Sequence, residues 1–273
     1  MGPALLFCPA DRPERFAKAA ERADAVILDL EDAVAPDAKD YARRNLAEVP
    51  LDPERTIVRL NAAGRGTSGV HFEADLDALE ATPYRTVMLA KAEAPEQLAL
   101  LRSYRVVALC ETAAGVLAAP AIAAEPNAVA LMWGAEDLVA SLGGTSSRTD
   151  DGAYRAVALH ARSAVLLAAG AHGKAAIDAV YTDIPDLAGL AAESADAVAS
   201  GFAAKACIHP SQVAAVRAAY APSAEAVAGA LALLAAAEAA GTGVFQHDGK
   251  MIDGPILRHA EMVVRRSRTQ HAG

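Results

Sequence analysis

Short apolar segments alternate with longer amphipathic segments along the chain, and this alternation restricts the possible folds more than any other feature of the sequence. Eight apolar runs of strand length occur in 273 residues, and a segment with helical patterning follows each of them. Such strict alternation is typical of parallel sheets, because a helix carries the chain back to the start of each new parallel strand. The runs are residues 4–8, 25–30, 56–60, 86–90, 105–110, 128–133, 175–180 and 203–208.

The segments between the runs predict eight helices, so the chain contains eight strand–helix units. Eight units favour an α/β fold of the TIM (β/α)₈ barrel type over an open sheet, and 273 residues is close to the usual length of such a barrel. No linker separates the units, which predicts one barrel domain over residues 1–240 and a C-terminal extension over residues 241–273. The predicted helices lie near residues 13–22, 37–47, 72–80, 95–102, 114–124, 152–169, 186–200 and 223–240.

The predicted extension contains a hairpin signal. Asp248-Gly249 lies between two short apolar segments, and Asp-Gly suits a two-residue turn that needs positive φ angles. A helix near residues 255–266 follows, with basic residues in its last turn, where the helix dipole favours them. The sequence leaves open whether this extension covers the mouth of its own barrel or that of a neighbouring subunit.

The charge of the chain limits the kinds of molecule that it is expected to bind. The net charge of -9, the pI near 5.3 and the absence of a basic cluster argue against nucleic-acid binding. No signal peptide is evident, and the longest apolar stretches are Ala-rich and amphipathic rather than membrane-spanning. Cys8, Cys110 and Cys207 lie in strand-like runs without metal-ligand spacing, which indicates small core residues in a reducing compartment. We therefore expect a cytoplasmic protein that binds neither nucleic acid nor membrane.

Two of the apolar runs are followed by an acid. Glu111 comes directly after the fifth run, and Asp137 comes four residues after the sixth. Because ligands bind at the carboxyl ends of the strands in α/β folds, we expect both side chains at one mouth of the barrel. Two such carboxylates suit a hard cation such as Mg²⁺. The alternative is that each acid caps the helix that follows it.

The second to fifth strand units also end with ionisable residues. Side chains alternate across a strand, so each of these residues shares a face with every second residue before it. That shared face points into the barrel in the active-site interpretation. The sets are Ile27, Asp29 and Glu31; Ile57, Arg59 and Asn61; Val87, Leu89 and Lys91; and Val107, Leu109 and Glu111.

A barrel interior tolerates charge only where it is paired, bound to a metal or wet. One interpretation is a structural ion-pair network, for example Arg59 with Asp29. The other is an active site in which the acids hold Mg²⁺ and Arg59 presents a planar fork to a carboxylate or a developing oxyanion. Lys91 would then add positive charge or pair with Glu31. We favour the active site, because it accounts for all of these residues together.

Three further features carry weaker signals. His209 follows the eighth run and, taken alone, is more typical of a structural histidine than of a catalytic one. Trp133, the single tryptophan, favours a core position over a stacking platform. The polar loop at residues 141–151 follows the sixth strand on the mouth side and is a candidate for substrate contact.

Seven motifs occur in order along the chain, at residues 5–9, 27–34, 58–61, 88–93, 111–113, 133–138 and 207–210. Taken together, they resemble those of the citrate lyase beta-subunit-like family. Its members are relatives of malyl-CoA and citramalyl-CoA lyases within the HpcH/HpaI aldolase group. The resemblance extends from about residue 4 to about residue 262. It implies a TIM barrel, Mg²⁺ dependence and a homotrimer.

The resemblance also implies roles for particular residues. Glu111 and Asp137 match the family's Mg²⁺ ligands, and Arg59 matches the arginine that binds the 2-oxo acid product. Residues 251–255 resemble a C-terminal motif whose aspartate reaches a neighbouring subunit's site, which makes Asp253 the candidate acid/base. The residues expected to line the substrate site are Arg59, Glu111, Gly134, Ala135, Glu136 and Asp137, with Asp29, Glu31, Lys91 and His209 as secondary candidates.

The implied reaction is reversible cleavage of a 3-hydroxyacyl-CoA thioester into an acetyl thioester and a 2-oxo acid such as oxaloacetate, pyruvate or glyoxylate. Two alternatives stay open. One is the beta subunit of a citrate lyase complex, which acts on a citryl group held by an acyl carrier protein and requires an alpha subunit. The other is an aldolase that acts on free hydroxy-oxo acids without CoA. The sequence does not fix the acyl group, the stereochemistry or the physiological direction.

Overall fold

The computed structural model of the chain describes residues 2–64, 67–241 and 243–270. Over these residues eight parallel strands close into a barrel, in which each strand pairs with the next along the chain and the eighth pairs with the first. The predicted TIM barrel is therefore confirmed. The strands are β1 (Ala4–Pro9), β2 (Ala25–Asp29), β3 (Thr56–Leu60), β4 (Thr86–Leu89), β5 (Arg105–Cys110), β6 (Ala128–Trp133), β7 (Ala175–Asp178) and β8 (Ala204–Cys207).

Helices connect the strands and surround the barrel. Short 3₁₀ turns that begin with proline precede the first helix, the second helix and β3, where a missing N–H costs little. The helices are α1 (Phe16–Arg22), α2 (Lys39–Glu48), α3 (Thr67–Glu80), α4 (Pro95–Ala99), α5 (Ala113–Ala124), α6 (Ala135–Ser141), α7 (Ala156–Ala171), α8 (Leu187–Ser200), α9 (Gln212–Tyr220), α10 (Ala224–Ala240) and α11 (Gly254–Gln270).

The strands are buried on both faces, as expected for a parallel sheet covered by helices. One set of side chains fills the barrel interior, and the other packs outward against the helices. Cys8, Cys110 and Cys207 are buried with free thiols, and Trp133 is fully buried, all as predicted. The interior set includes Ile27, Ile57, Met88, Val107, Met132 and Ile177.

Two helices were not predicted from the sequence. The seven-residue α6 starts directly after β6 and is too short for its periodicity to stand out, so the polar loop follows α6 rather than the strand itself. The helix α9 does carry a signal, because Val213, Val216 and Tyr220 are buried at spacings of three and four residues. It packs against α8 and β1. From the sequence alone, α10 was expected to be the helix that follows β8.

The helices α10 and α11 and the hairpin between them form what we call the C-terminal arm, residues 224–241 and 243–270. Its two helices pack on each other through Ala230, Ala260 and Val264, in a cluster separate from the barrel core. The hairpin pairs β9 (Phe245–His247) with β10 (Lys250–Ile252), and Asp248 and Gly249 have φ angles of 47° and 75°. The hairpin prediction is therefore confirmed, whereas the domain boundary at residue 240 stays a prediction.

One helical stretch, Gln212–Ala240, is long and apolar enough to cross a membrane by length and composition alone. It consists of α9 and α10, and the residues between them include Pro222 and Ser223. The Ser223 side chain caps α10 by accepting a hydrogen bond from Ala226 N. A cap begins a new helix at this point, so the stretch is weak evidence for a membrane span.

Candidate active site

The C-terminal ends of β2 to β5 and the start of α6 bring ionisable side chains together at one mouth of the barrel. Lys91, just after β4, shows this convergence most directly. Its backbone N donates a hydrogen bond to Oε1 of Glu111 at 3.1 Å, and its Nζ lies 3.7 Å from Oδ1 of Asp137. The same ammonium pairs with Glu31 and with Asp32 Oδ2 at 3.2 Å. The two acids predicted to hold Mg²⁺ are thus neighbours of one lysine.

Glu111 is enclosed on several sides. The residue is 3% exposed, and its carboxylate takes part in none of the ion pairs between the described residues. A Cβ atom on Gly134 would lie 2.9 Å from Oε2 of Glu111, so this close approach requires glycine. Burial, followed by the nearby charge of Asp137, raises the pKa of Glu111 to about 8. A buried carboxylate without a cationic partner is the kind of group that a bound metal ion satisfies.

Asp137 lies in the first turn of α6, and its side chain is 39% exposed. Among the described residues no group of three or more His, Cys, Asp or Glu side chains is arranged to hold a metal. A cation here would therefore have two protein carboxylates and would take its other oxygen ligands from water or from a bound molecule. That donor set fits Mg²⁺, which usually keeps several waters and binds through one or two carboxylates.

Arg59 forms an ion pair with Asp29, as the interpretation of these charges as a structural ion-pair network predicted. Its Nε and Nη2 donate to the two carboxylate oxygens of Asp29 at 2.7 and 2.6 Å, and its guanidinium lies 4.9 Å from the ring centre of Phe7. Nη1 points to Glu31 instead, 3.0 Å from Oε2. Asp29 and Glu31 therefore face three of the five N–H groups of the guanidinium, and a ligand carboxylate could reach the two that remain, one on Nη1 and one on Nη2.

The position of Lys91 differs from the prediction made from strand alternation. Met88 is the β4 residue in the barrel interior, whereas Val87 and Leu89 pack outward among the helices. The prediction that Lys91 shares an inward face with Val87 and Leu89 is therefore wrong. Lys91 lies past the end of β4 with a φ of +49°, and this left-handed turn brings it to the mouth.

Two residues that support the site were not predicted from the sequence. Lys39, on α2, is buried and donates hydrogen bonds from Nζ to the carbonyl oxygens of Leu30 and Glu31 at 2.7 and 3.0 Å. Asp75, on α3, accepts hydrogen bonds from both N and Nδ2 of Asn61. These contacts fix the chain after β2 and β3. A lysine and an aspartate on helices carry no sequence signal that separates them from a solvated helix face.

The polar loop after α6 is attached at two points. Ser147 is buried and donates to Oε1 of Glu136 at 2.6 Å, which ties the loop to the residue beside Asp137. The guanidinium of Arg148 lies 3.7 Å from the ring centre of Tyr154, and its Nη2 donates to Glu193 on α8. The loop is therefore a fixed wall next to the mouth.

Two predicted residues make no hydrogen bond or ion pair to this cluster within the described parts of the chain. Asp253 precedes α11 on the C-terminal arm, and no hydrogen bond or ion pair within the described parts of the chain joins it to Arg59, Glu111 or Asp137. His209 shares a 2.7 Å hydrogen bond between Nδ1 and Oγ of Ser211, a local contact in the turn after β8. Their roles in catalysis stay predictions.

Known proteins resemble this chain over almost its whole length. Residues 4–210 match the family described as HpcH/HpaI aldolase/citrate lyase. The citrate lyase subunit beta-like protein of Mycobacterium tuberculosis is 55% identical over 266 residues, which cover 97% of this chain and 96% of that protein. The mitochondrial citramalyl-CoA lyase of Homo sapiens is 33% identical over 295 residues, which cover 96% and 84%.

The fold is also similar to a solved structure. The crystal structure of protein CitE from Mycobacterium tuberculosis in complex with magnesium, acetoacetate and coenzyme A has a TM-score of 0.91, 55% identity and 98% coverage of both chains. The family match extends through all eight barrel strands, from β1 to β8. Because the match is this extensive and one relative is identical at more than half of the aligned positions, this chain belongs to the HpcH/HpaI aldolase/citrate lyase family, a family that includes citramalyl-CoA lyase.

Proposed function

We propose that this protein is a Mg²⁺-dependent carbon–carbon lyase that cleaves a 3-hydroxyacyl thioester of the citramalyl-, malyl- or citryl-CoA type. The products are an acetyl thioester and a 2-oxo acid such as pyruvate, glyoxylate or oxaloacetate. The observation that carries the proposal is the buried, unpaired carboxylate of Glu111 beside Asp137 and Arg59 at the mouth of this family's barrel. The relatives support it, because one is named for citramalyl-CoA cleavage and another was solved with magnesium and coenzyme A.

Glu111 and Asp137 would hold the metal. A bound Mg²⁺ would supply positive charge to the carboxylate and oxo oxygens of the 2-oxo acid. The N–H groups of Arg59 that Asp29 and Glu31 leave free would bind the same carboxylate, and the guanidinium would add a fixed positive charge where negative charge develops on oxygen. Asp29 keeps that guanidinium in place through its two hydrogen bonds. The backbone of residues 134–136, which begins beside Glu111, would complete the site.

The proposed reaction breaks the bond between C2 and C3 of the acyl chain. A base removes the proton of the 3-hydroxyl group, C3 becomes the oxo carbon, and the bonding electron pair stays on the acetyl part as an enolate. Asp253 is the candidate acid/base, which gives a proton to the enolate carbon in cleavage and removes one from the methyl group in condensation. Because Asp253 belongs to the C-terminal arm and no contact between the described residues joins it to Arg59, Glu111 or Asp137, we propose that it serves a neighbouring subunit.

We propose a homotrimer as the assembly that brings Asp253 to that neighbouring site, and the cytoplasm as its compartment. The C-terminal arm supports the assembly, because Leu231, Met251 and Ile256 are 50%, 67% and 38% exposed on it. Exposed apolar side chains on one short arm offer a surface that a partner chain could cover. The three buried free thiols fit a reducing compartment.

The experiment that tests the function uses purified protein with Mg²⁺ and a panel of malyl-, citramalyl- and citryl-CoA. Release of acetyl-CoA and a 2-oxo acid is followed with and without EDTA, and we expect metal-dependent cleavage of one thioester. Glu111→Gln should lower this turnover more than about 100-fold while circular dichroism shows a folded barrel. Wild-type rates in that variant would contradict the assignment of Glu111 as a metal ligand.

Two other outcomes identify the alternatives. Cleavage of free hydroxy-oxo acids without any thioester would indicate an aldolase. Activity that appears only with a citryl group on an acyl carrier protein and an alpha-type partner would indicate the beta subunit of a citrate lyase complex.

A further inference from the structure

Lys91 combines backbone strain with an unusual number of contacts to acids. Its φ of +49° lies in the left-handed region, where a residue with a long side chain is rarely found. Asp248, in the hairpin turn, is the other residue besides glycine with positive φ among the described residues. Such a conformation persists only where surrounding contacts hold it, and strained residues of this kind cluster at functional sites.

The contacts of Lys91 divide into two groups. Its backbone N–H donates to Oε1 of Glu111, the buried carboxylate of the site. Its ammonium pairs with Glu31 and Asp32, on the segment that follows β2, and also lies 3.7 Å from Oδ1 of Asp137. A regular continuation of β4 would not produce this arrangement, because the alternation set by Met88 places position 91 on the outward face. The left-handed φ sets the angle between the N–H group and the side chain, and it lets one residue face Glu111 with its N–H group while its ammonium reaches Glu31 and Asp32.

We propose that Lys91 is a positioning residue for Glu111 that acts through its own backbone. The ion pairs of its ammonium hold the left-handed turn, and the turn holds the N–H group against the Glu111 carboxylate. The inference rests on the proposed role of Glu111 as a metal ligand, and it is independent of which thioester the protein cleaves.

Three substitutions separate the backbone from the charge. Lys91→Ala removes the ion pairs but keeps a Cβ atom, so the turn stays strained and loses the side-chain contacts that hold it. Lys91→Gly removes the same charge but adopts positive φ without strain. Lys91→Arg keeps a cation that can pair with Glu31 and Asp32. Because the alanine and glycine variants lose the same charge near Asp137, any difference between them in Mg²⁺ binding comes from the backbone.

The measurement is the Mg²⁺ dissociation constant by calorimetry, without substrate. We expect Lys91→Gly to bind Mg²⁺ about tenfold more tightly than Lys91→Ala, and Lys91→Arg to resemble the wild type. A second measurement uses the metal-free protein. In EDTA, the midpoint of urea unfolding of Lys91→Gly should equal or exceed that of Lys91→Ala. At Lys174, whose φ is not positive, we expect the usual order in which alanine is the more stable variant.

Equal Mg²⁺ affinities in the alanine and glycine variants would overturn the proposal. A wild-type protein that binds no Mg²⁺ would overturn it together with the metal site. If the wild type binds Mg²⁺ and the glycine variant is the tighter binder, but no thioester in the panel is cleaved, the positioning role stands and the proposed lyase function fails. The two ideas are therefore tested separately.

Discussion

At the scale of single residues, burial gives Glu111 a property that an exposed glutamate lacks. Its carboxylate is enclosed by Gly134 and by the turn at Lys91, and its pKa is raised from 4.5 to about 8 by burial and then by Asp137. Below pH 8 the metal-free carboxyl group is therefore mostly protonated. A cation that binds to the carboxylate must displace that proton.

This raised pKa predicts that Mg²⁺ affinity depends on pH. The affinity should fall as the pH drops below about 8, with a slope that approaches tenfold per pH unit, and should level off above that pH. Calorimetry in two buffers with different ionisation enthalpies measures the protons released. We expect close to one proton per Mg²⁺ near pH 6.5 and close to none near pH 9.5. Binding without proton release at the lower pH would contradict the raised pKa.

The close approach of Gly134 to Glu111 predicts the effect of adding one methyl group. In Gly134→Ala the new Cβ atom would lie 2.9 Å from both Cβ and Oε2 of Glu111, so the carboxylate must move. We expect Mg²⁺ affinity and turnover to fall about tenfold or more. Gly170→Ala is the matched control, because a Cβ there meets no atom within 4 Å, and it should leave both quantities unchanged.

At the scale of elements, a buried ion cluster joins β7 and β8 to the surrounding helices. Lys205 is fully buried, and its Nζ donates to Asp178 Oδ2, to the carbonyl of Ala179 and to Glu193 Oε1, each at 2.8 Å. Burial alone would raise the pKa of Asp178, but Lys205 and Arg162 together hold that pKa below its usual value. The cluster is therefore stabilising at neutral pH and loses that contribution as acid protonates Asp178.

Removing one partner from this cluster should destabilise the fold. Lys205→Met leaves the buried Asp178 and the part-buried Glu193 with fewer cations, and we expect the free energy of unfolding to fall by about 3–5 kcal/mol. Urea denaturation measures the change. Lys250→Met, at an exposed hairpin position, is the control and should shift the free energy of unfolding by less than about 0.5 kcal/mol. A similar small shift in Lys205→Met would show that the cluster contributes little.

The elements also show which helices can be predicted from local pattern. The helix α9 was missed although its buried residues have helical spacing, because the Ala-rich α10 directly after it offered a longer apolar segment. The helix α6 could not be found in this way, since seven residues contain only two turns.

At the scale of the whole molecule, the C-terminal arm has its own small core and exposed apolar side chains, which predicts that a second copy of the chain covers it. Leu231→Glu combined with Met251→Glu should lower the mass measured by light scattering from that of three chains to that of one. The circular dichroism of the barrel should stay unchanged. A wild-type protein with the mass of one chain would contradict the proposed trimer.

The sequence alone determined the barrel, the order of its strands and the acids at the strand ends. These features follow from periodicity and spacing within short segments, which the chain carries locally. That is why β3, β5 and β6 were predicted with the bounds that the structure shows.

The tertiary structure decided the partners of the charged groups. Arg59 binds Asp29, which is 30 residues away in the chain, and Lys91 binds Glu31, which is 60 residues away. Lys91 does so through a left-handed turn that departs from the regular alternation of β4. The buried Lys39 that supports Glu31 resembled any helix-surface lysine in the sequence. Partners of this kind are set by the closure of the barrel and by the desolvation of each charge, and both depend on residues far apart in the chain.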